Sequence, residues 1–184
     1  MFGTSMKCLQ DFVLANYGQK RWELMLEKVD LPSNKVYHSM RFYPDIEFQQ
    51  LVEQCSQDFK IEQNELLRDL GKSFGEHLFS VYSRMFSKNW RSLDVIEKVA
   101  PKVFTTIQFI DPYTPKSRVS CSRVSSEEVI VYYRSPRRMC VYICGIIEAV
   151  GEHFDEKLKI TETQCMLKNG NECHIHVKKI ADIK

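Results

Sequence analysis

The sequence predicts an α+β protein: an N-terminal helical subdomain packed on a C-terminal antiparallel sheet with one covering helix. Three observations point there. Apolar residues recur at helical spacing through the first two-thirds of the chain. From about residue 117 the period drops to two, in short runs broken by Ser125-Ser126 and by Lys168-Asn169-Gly170. Aromatic residues are plentiful (Phe 11, Tyr 8, Trp 2) while Gly and Pro are few, the composition of an ordered globular chain. A length of 184 residues suits one domain over 1–184, mainly helical in 1–112 and sheet plus helix in 113–184. The chain carries no internal repeat and no low-complexity stretch.

The elements follow in order. Cys8, Leu9, Phe12 and Val13 share one face of a first helix, with Gly18 after Tyr17 as its C-cap. Trp22, Met25 and Leu26 repeat the spacing in a short second helix that Pro32 closes. Asp45 is placed to cap a third, carrying Phe48, Leu51, Val52 and Cys55. Asn64 is placed to cap a fourth, whose stripe is Leu66, Leu67, Leu70, Phe74, Leu78 and Phe79. Segment 90–110 begins helical at Trp90, Leu93 and Ile96 and blurs over Val103–Ile110, before Pro112 and Pro115 end the helical part. Strands are expected at 117–123 and 127–134, then a helix over 136–153 with Val141, Cys144, Ile147 and Val150. A hairpin of 157–167 and 171–179 closes the chain.

Composition excludes several function classes. A net charge of +2 does not suggest nucleic acid or an acidic membrane surface as a partner. The basic stretch Lys116, Arg118, Arg123, Arg134, Arg137, Arg138 is interrupted by Glu127 and Glu128 and reads as a solvated strand edge. No apolar run approaches the roughly 18 residues of a membrane span, and the N-terminus lacks the apolar core of a signal peptide. Seven cysteines without an export signal argue for a reducing, cytoplasmic setting, where clustered cysteines read as metal or redox sites before disulfides.

Three of those cysteines crowd the last quarter of the chain: Cys140, Cys165 and Cys173, with Glu162 three residues before the middle one. Three thiolates and a carboxylate make a closed tetrahedral zinc set. Taken singly, each cysteine is more simply a small buried hydrophobe. The turn decides the geometry. A two-residue Asn169-Gly170 loop sends Cys165 and Cys173 to opposite faces. A three-residue Lys168-Asn169-Gly170 loop, with Gly170 left-handed, pairs Leu167 with Asn171 and sets Cys165 across from Cys173, Cβ atoms about 4.5–5.5 Å apart. The zinc reading therefore expects the three-residue loop. Glu162 lies an odd number of residues from Cys165 and joins only through a bulge or bend. Cys140 comes in from the first turn of a helix, where the dipole favours a thiolate.

Met1-Phe2-Gly3, then Leu9, Phe12, Val13, Tyr17, Gly18 and Trp22, resembles the first helices of heme nitric oxide/oxygen-binding (H-NOX) domains, the sensor domains of soluble guanylate cyclase and of bacterial signalling proteins. Tyr133-Arg134-Ser135-Pro136-Arg137 matches that family's Tyr-x-Ser-x-Arg motif, and Cys144-Gly145-Ile146-Ile147 continues the match. By resemblance Tyr133, Ser135 and Arg137 hold heme propionates, or the acidic head of another ligand; two hydroxyls and a guanidinium suit carboxylates. The alternative is that Arg137 pairs with a protein carboxylate while Tyr133 packs. The chain departs from the family at the iron ligand. No histidine occurs between His77 and His153. One alignment puts Glu97, in Leu93-Asp94-Val95-Ile96-Glu97, at the ligand position, and another puts Phe109-Ile110-Asp111 there. None is a usual axial ligand, so heme is not expected in the family's usual way. Cys121, Tyr113 and His77 are the atypical ligands that would allow it.

The pattern Cys140, Glu162-x-x-Cys165, seven residues, Cys173 is similar to the zinc site of vinyl-4-reductase-type domains and of phenol-responsive activators. Some H-NOX proteins resemble it with histidine for the glutamate. His174 and His153 are candidate neighbours, read more simply as ordinary histidines. There is no phosphate loop, no Gly-x-Ser-x-Gly, no His-Glu-x-x-His, and Glu53, Glu62 and Glu65 read as solvated faces. The expectation is a non-enzymatic sensory domain with a structural zinc, a small hydrophobic or acidic ligand and a signalling partner protein. The alternatives are a heme gas sensor with an atypical ligand and a zinc-thiolate redox sensor.

Overall fold

The computed structural model describes residues 1–82, 86–110 and 116–182. Among these are six α-helices and one four-stranded antiparallel sheet. The helices are α1 (Gly3–Tyr17), α2 (Gln19–Lys28), α3 (Asp45–Phe59), α4 (Gln63–Tyr82), α5 (Ser92–Ile110) and α6 (Cys140–His153). The strands are β1 (Arg118–Ser125), β2 (Glu128–Arg134), β3 (Glu156–Gln164) and β4 (Cys173–Asp182), in spatial order β1-β2-β4-β3. The α+β expectation holds. Asp111, Pro112, Tyr113 and Pro115 lie outside the described residues.

The local differences have physical causes. Gly18 does end α1, with φ 80°. Helix α2 stops at Lys28, four residues before Pro32, because Asp30 turns the chain at φ 57°. Asp45 does not cap α3: Pro44 stands at the N-cap, and the Asp45 carboxylate is taken by Arg137 instead. Helix α4 begins at Gln63, and it is the Glu62 carboxylate that accepts the Glu65 N–H at 2.9 Å. Helix α5 does not blur: it runs through Pro101 to Ile110, and the Thr105 hydroxyl donates to the Pro101 carbonyl. Before α6, residues after Arg134 leave the sheet and turn at Arg138, φ 55°, so the helix starts at Cys140 rather than 136.

Two apolar cores result. One joins α1 to α4 around Met6, Leu9, Trp22, Phe48 and Leu66. The other lies between the sheet and α5 and α6, around Val131, Tyr133, Ile143, Ile147, Ile175 and Val177. Each fully buried aliphatic side chain there stabilises the fold by about 1.5–3 kcal/mol. Helices α4 and α6 touch backbone to backbone: a Cβ on Gly71 would stand 2.1 Å from the Tyr142 carbonyl oxygen, and one on Gly145 2.0 Å from that of Arg68. Only glycine permits that approach.

Helix α5 is held to the sheet by a charged latch. Glu156, buried at the start of β3, accepts from the Ser92 backbone N–H at 3.1 Å and from its hydroxyl. It also pairs with Arg91 at 3.0 Å and Lys179 at 2.8 Å. Burial pushes its carboxyl upward, but Lys179, Ser92 and Arg91 overcome this and hold it at about 2.

Candidate functional site

The strand–turn–strand at the end of the chain carries the first constellation. The hairpin turn is longer than the three-residue loop the zinc reading expects. From Cys165 the chain makes a 3-10 turn over Met166–Lys168, and Asn169, not Gly170, takes the left-handed conformation at φ 67°. The Lys168 and Gly170 N–H groups both donate to the Cys165 carbonyl, at 2.9 and 3.0 Å. Gly170 is needed for close approach rather than for backbone freedom, since a Cβ there would lie 2.8 Å from that carbonyl oxygen. Leu167 and Asn171 are not paired, and the last register pair is Gln164 with His174. The two thiols meet nonetheless.

Cys140, at the first position of α6, and Cys173, at the start of β4, converge on Cys165. The Cys140 Sγ is 3.7 Å and the Cys173 Sγ 3.9 Å from the Cys165 Sγ. Four sulfurs held 2.3 Å from a tetrahedral ion stand about 3.8 Å apart, so the thiols already have the spacing of a metal set. The register shifts between Glu162 and Gln164, which leaves Thr163 as an extra residue in β3. That bulge is the bend the spacing requires, and Glu162 brings a carboxylate oxygen to the cluster. All four donor atoms lie within 4.8 Å of one another. The Met166 N–H donates to the Cys173 sulfur at 3.3 Å and the Leu167 N–H to the Cys165 sulfur at 3.4 Å, contacts that favour thiolates. Without a cation, burial and then the mutual repulsion of the cluster push the Cys140 thiol far up, and burial brings Cys173 to about 11. Protonation of the thiols relieves that opposition, and so would a bound cation. The two neighbouring histidines stay out: His174 bonds Glu172, and His153 stacks on Phe79 with centroids 4.0 Å apart.

The second constellation follows β2. Tyr133 ends its buried face, whereas Ser135 and Arg137 lie beyond the strand, so the three do not share one strand face. Each is engaged within the protein. Burial pushes the Tyr133 phenol up to about 12, against the pull of Ser135. The Ser135 hydroxyl is 2.7 Å from that of Ser117, and accepts from the Arg137 N–H at 3.2 Å. The Arg137 guanidinium donates to Asp45 at 2.9 Å, and the Met1 ammonium stands 2.6 Å from the other Asp45 oxygen. Burial alone would raise the Asp45 carboxyl; Arg137 and the ammonium bring it below its usual value.

On the opposing helix, the ring facing Tyr133 belongs to Phe104, with centroids 6.2 Å apart. Neither alignment placed Phe104 there. Glu97 instead pairs with Arg123 of β1 at 2.9 Å, and Phe109 and Ile110 are exposed. Over its whole length α5 contains no His, Cys, Met or Tyr. Of the other atypical candidates, the Cys121 thiol is directed to the Ile96 carbonyl at 3.4 Å, His77 is exposed, and Tyr113 is outside the described residues.

An all-helical half set against a four-stranded antiparallel sheet of order β1-β2-β4-β3 is a fold shared with solved H-NOX proteins. The structure of an H-NOX protein from S. oneidensis in its Fe(II)NO state superposes with a TM-score of 0.86 at 20% identity, covering 98% of this chain and 100% of that one. A mutant H-NOX protein from K. algicida gives 0.83 at 19% identity, over 98% and 97%. An oxygen-binding H-NOX domain related to soluble guanylate cyclases gives 0.79 at 19%, over 99% and 94%. The Haem-NO-binding (HNOB) family description matches residues 2–162, and the chain belongs to that family. No curated protein matches it at the sequence level. No helix among the described residues is long and apolar enough to cross a membrane.

Proposed function

We propose that this chain is a sensory domain of the H-NOX family that does not hold heme through an imidazole, and that Cys140, Glu162, Cys165 and Cys173 hold a structural zinc. The observation that carries the reading is α5, which opposes the motif with Phe104 and offers no His, Cys, Met or Tyr from Ser92 to Ile110. Heme does not fit such a site in the family's usual way. Arg137 and Ser135, already met by Asp45 and Ser117, form a polar site that takes a small hydrophobic or acidic ligand by exchanging one of those partners. The occupied state is passed to a partner protein rather than used for catalysis.

For zinc the residues fit: three thiol sulfurs at tetrahedral spacing, a carboxylate beside them, and two backbone N–H groups on the sulfurs. The ion would supply a cross-link between α6, β3, the turn and β4. A second reading, a thiolate redox sensor, is favoured by sulfurs only 3.7 and 3.9 Å apart, close enough to pass into a disulfide when the metal leaves. Titration of purified protein with hemin tests the first reading: no stable Soret band is expected, and a band surviving gel filtration would overturn it. Mild peroxide that releases zinc reversibly favours the second; full retention of zinc rules it out.

A further inference from the structure

We propose that Glu162 is the displaceable arm of the metal centre, and that a small thiol bearing a carboxylate enters beside it and replaces it as fourth donor. The inference rests on the zinc reading above. The four converging side chains are not equally covered. Cys140, Cys165 and Cys173 are 1%, 6% and 0% exposed, whereas Glu162 lies on the surface. On that side a solvent-open polar cleft of about 510 Å³ reaches the cluster. Glu162, Gln164, Cys165, Lys168, Asn169 and Asn171 are among its walls. A centre meant to be sealed would place its weakest donor inward; this one faces it to the cleft.

The chemistry of the exchange favours sulfur. Zinc with three thiolates is a soft site, and a carboxylate is the hardest donor in the set. A thiolate replaces the Glu162 carboxylate charge for charge, so the centre gains a better-matched donor with no added repulsion. The bond from the ion to the Glu162 oxygen breaks, and a bond to the incoming sulfur forms. The thiol proton passes to the freed carboxylate and from there to water, and no electron moves. The bulge at Thr163 lets the Glu162 arm leave without shifting the thiols, which come from α6, the turn and β4. The cleft also says what else the ligand carries. Lys168 is exposed with no carboxylate partner among the described residues, and the Asn169 and Asn171 amides line the same space, while the Gln164 amide beside them donates to the Glu172 carbonyl at 3.1 Å. An ammonium and amide N–H groups receive a carboxylate tail.

The test uses the whole chain loaded with cobalt(II) in place of zinc, whose sulfur-to-metal absorption reports the number of thiolates. On titration with 3-mercaptopropionate this band is expected to grow by about one third as three thiolates become four. Cysteamine, with an ammonium for the carboxylate, is expected to need a higher concentration, and propionate to do nothing. Glu162→Ala keeps cobalt and binds the thiol more tightly than wild type, whereas Lys168→Glu weakens 3-mercaptopropionate about fivefold without affecting cysteamine in the same direction. A wild-type band indifferent to 3-mercaptopropionate overturns the inference while leaving the metal centre standing. So does Glu162→Ala losing cobalt as fully as Cys173→Ser, or a thiol that strips cobalt into the filtrate. Wild-type protein that shows no sulfur-to-cobalt band at all overturns the metal centre itself, and the inference with it.

Discussion

The two constellations that flank the start of α6 are built on opposite principles. At Cys140, Glu162, Cys165 and Cys173, donors from α6, β3, the turn and β4 converge with only the Met166 and Leu167 N–H groups to meet two of the sulfurs; burial and like charge set their ionised forms against one another. At Tyr133, Ser135 and Arg137, every group already has a protein partner, in Ser117, Asp45 or the Phe104 ring. A cluster of opposed donors stays protonated or takes a cation. A cluster of reconciled ones is stable empty and binds only what can displace a partner. On the function proposed above, the difference separates a structural clip from a ligand site within one fold.

The largest expected effect falls on the clip. Cys173→Ser, at a position with no exposure, is expected to abolish zinc and with it the stabilisation that binding lends the folded state, about 4 kcal/mol at free zinc a thousandfold above its dissociation constant. Metal content and urea unfolding check this; a variant as stable as wild type would make the cluster an ordinary core.

Glu156→Gln comes next and concerns the frame that both regions share. Its carboxyl is held at about 2 in the fold, below the ordinary value of 4.5. A depressed folded value means the stabilisation is present above about pH 4.5 and is lost as pH falls towards 2. The variant is expected to lose about 3 kcal/mol at pH 7 and to show a flatter stability profile below pH 4.5. An unchanged acid limb of the unfolding curve would show that the latch on α5 contributes nothing.

Asp45→Asn sharpens the second half of the comparison. It leaves the Arg137 guanidinium, 14% exposed, without its carboxylate, at a cost of about 2 kcal/mol. Because Asp45 sits below its usual value, that contribution exists above the ordinary carboxylate range and fades as pH falls through it. The same change is expected to raise affinity for carboxylate-bearing ligands, read by calorimetry or by a shift in Tm. If Asp45→Asn loses stability with no gain for any carboxylate, Arg137 is purely structural.

Phe104→His carries the smallest stability change, about 1–2 kcal/mol for a half-buried ring. Its informative readout is spectroscopic. An imidazole facing Tyr133 is expected to confer a Soret band after hemin addition that wild type does not show.

Much of the fold was legible because periodicity changes where the structure does. The stripe Leu66, Leu70, Phe74, Phe79 and the alternation in Val129, Val131, Tyr133 report burial directly. Where the reading slipped, long-range contacts decide. Asp45 next to Pro44 has the look of a cap, yet an arginine 92 residues away takes its carboxylate. The pattern blurs over Val103–Ile110, but α5, packed on β1 and β2, runs on through Ile110. The four side chains that converge were legible as a group in the sequence, and the bulge at Thr163 is the bend that the parity of Glu162 required. The turn was not, since Asn169 and Gly170 both tolerate left-handed backbone and only the carbonyl of Cys165 beneath Gly170 distinguishes them. Phe104 was missed because α5 has several apolar faces and sequence spacing does not say which one meets Tyr133.

The most direct test of the contrast between clip and pocket is metal analysis of the purified chain together with its absorption spectrum as isolated. The expected result is one zinc per chain and no Soret band. A Soret band with no zinc would contradict both halves at once, placing the cofactor in the reconciled pocket and leaving the unreconciled thiols without their ion.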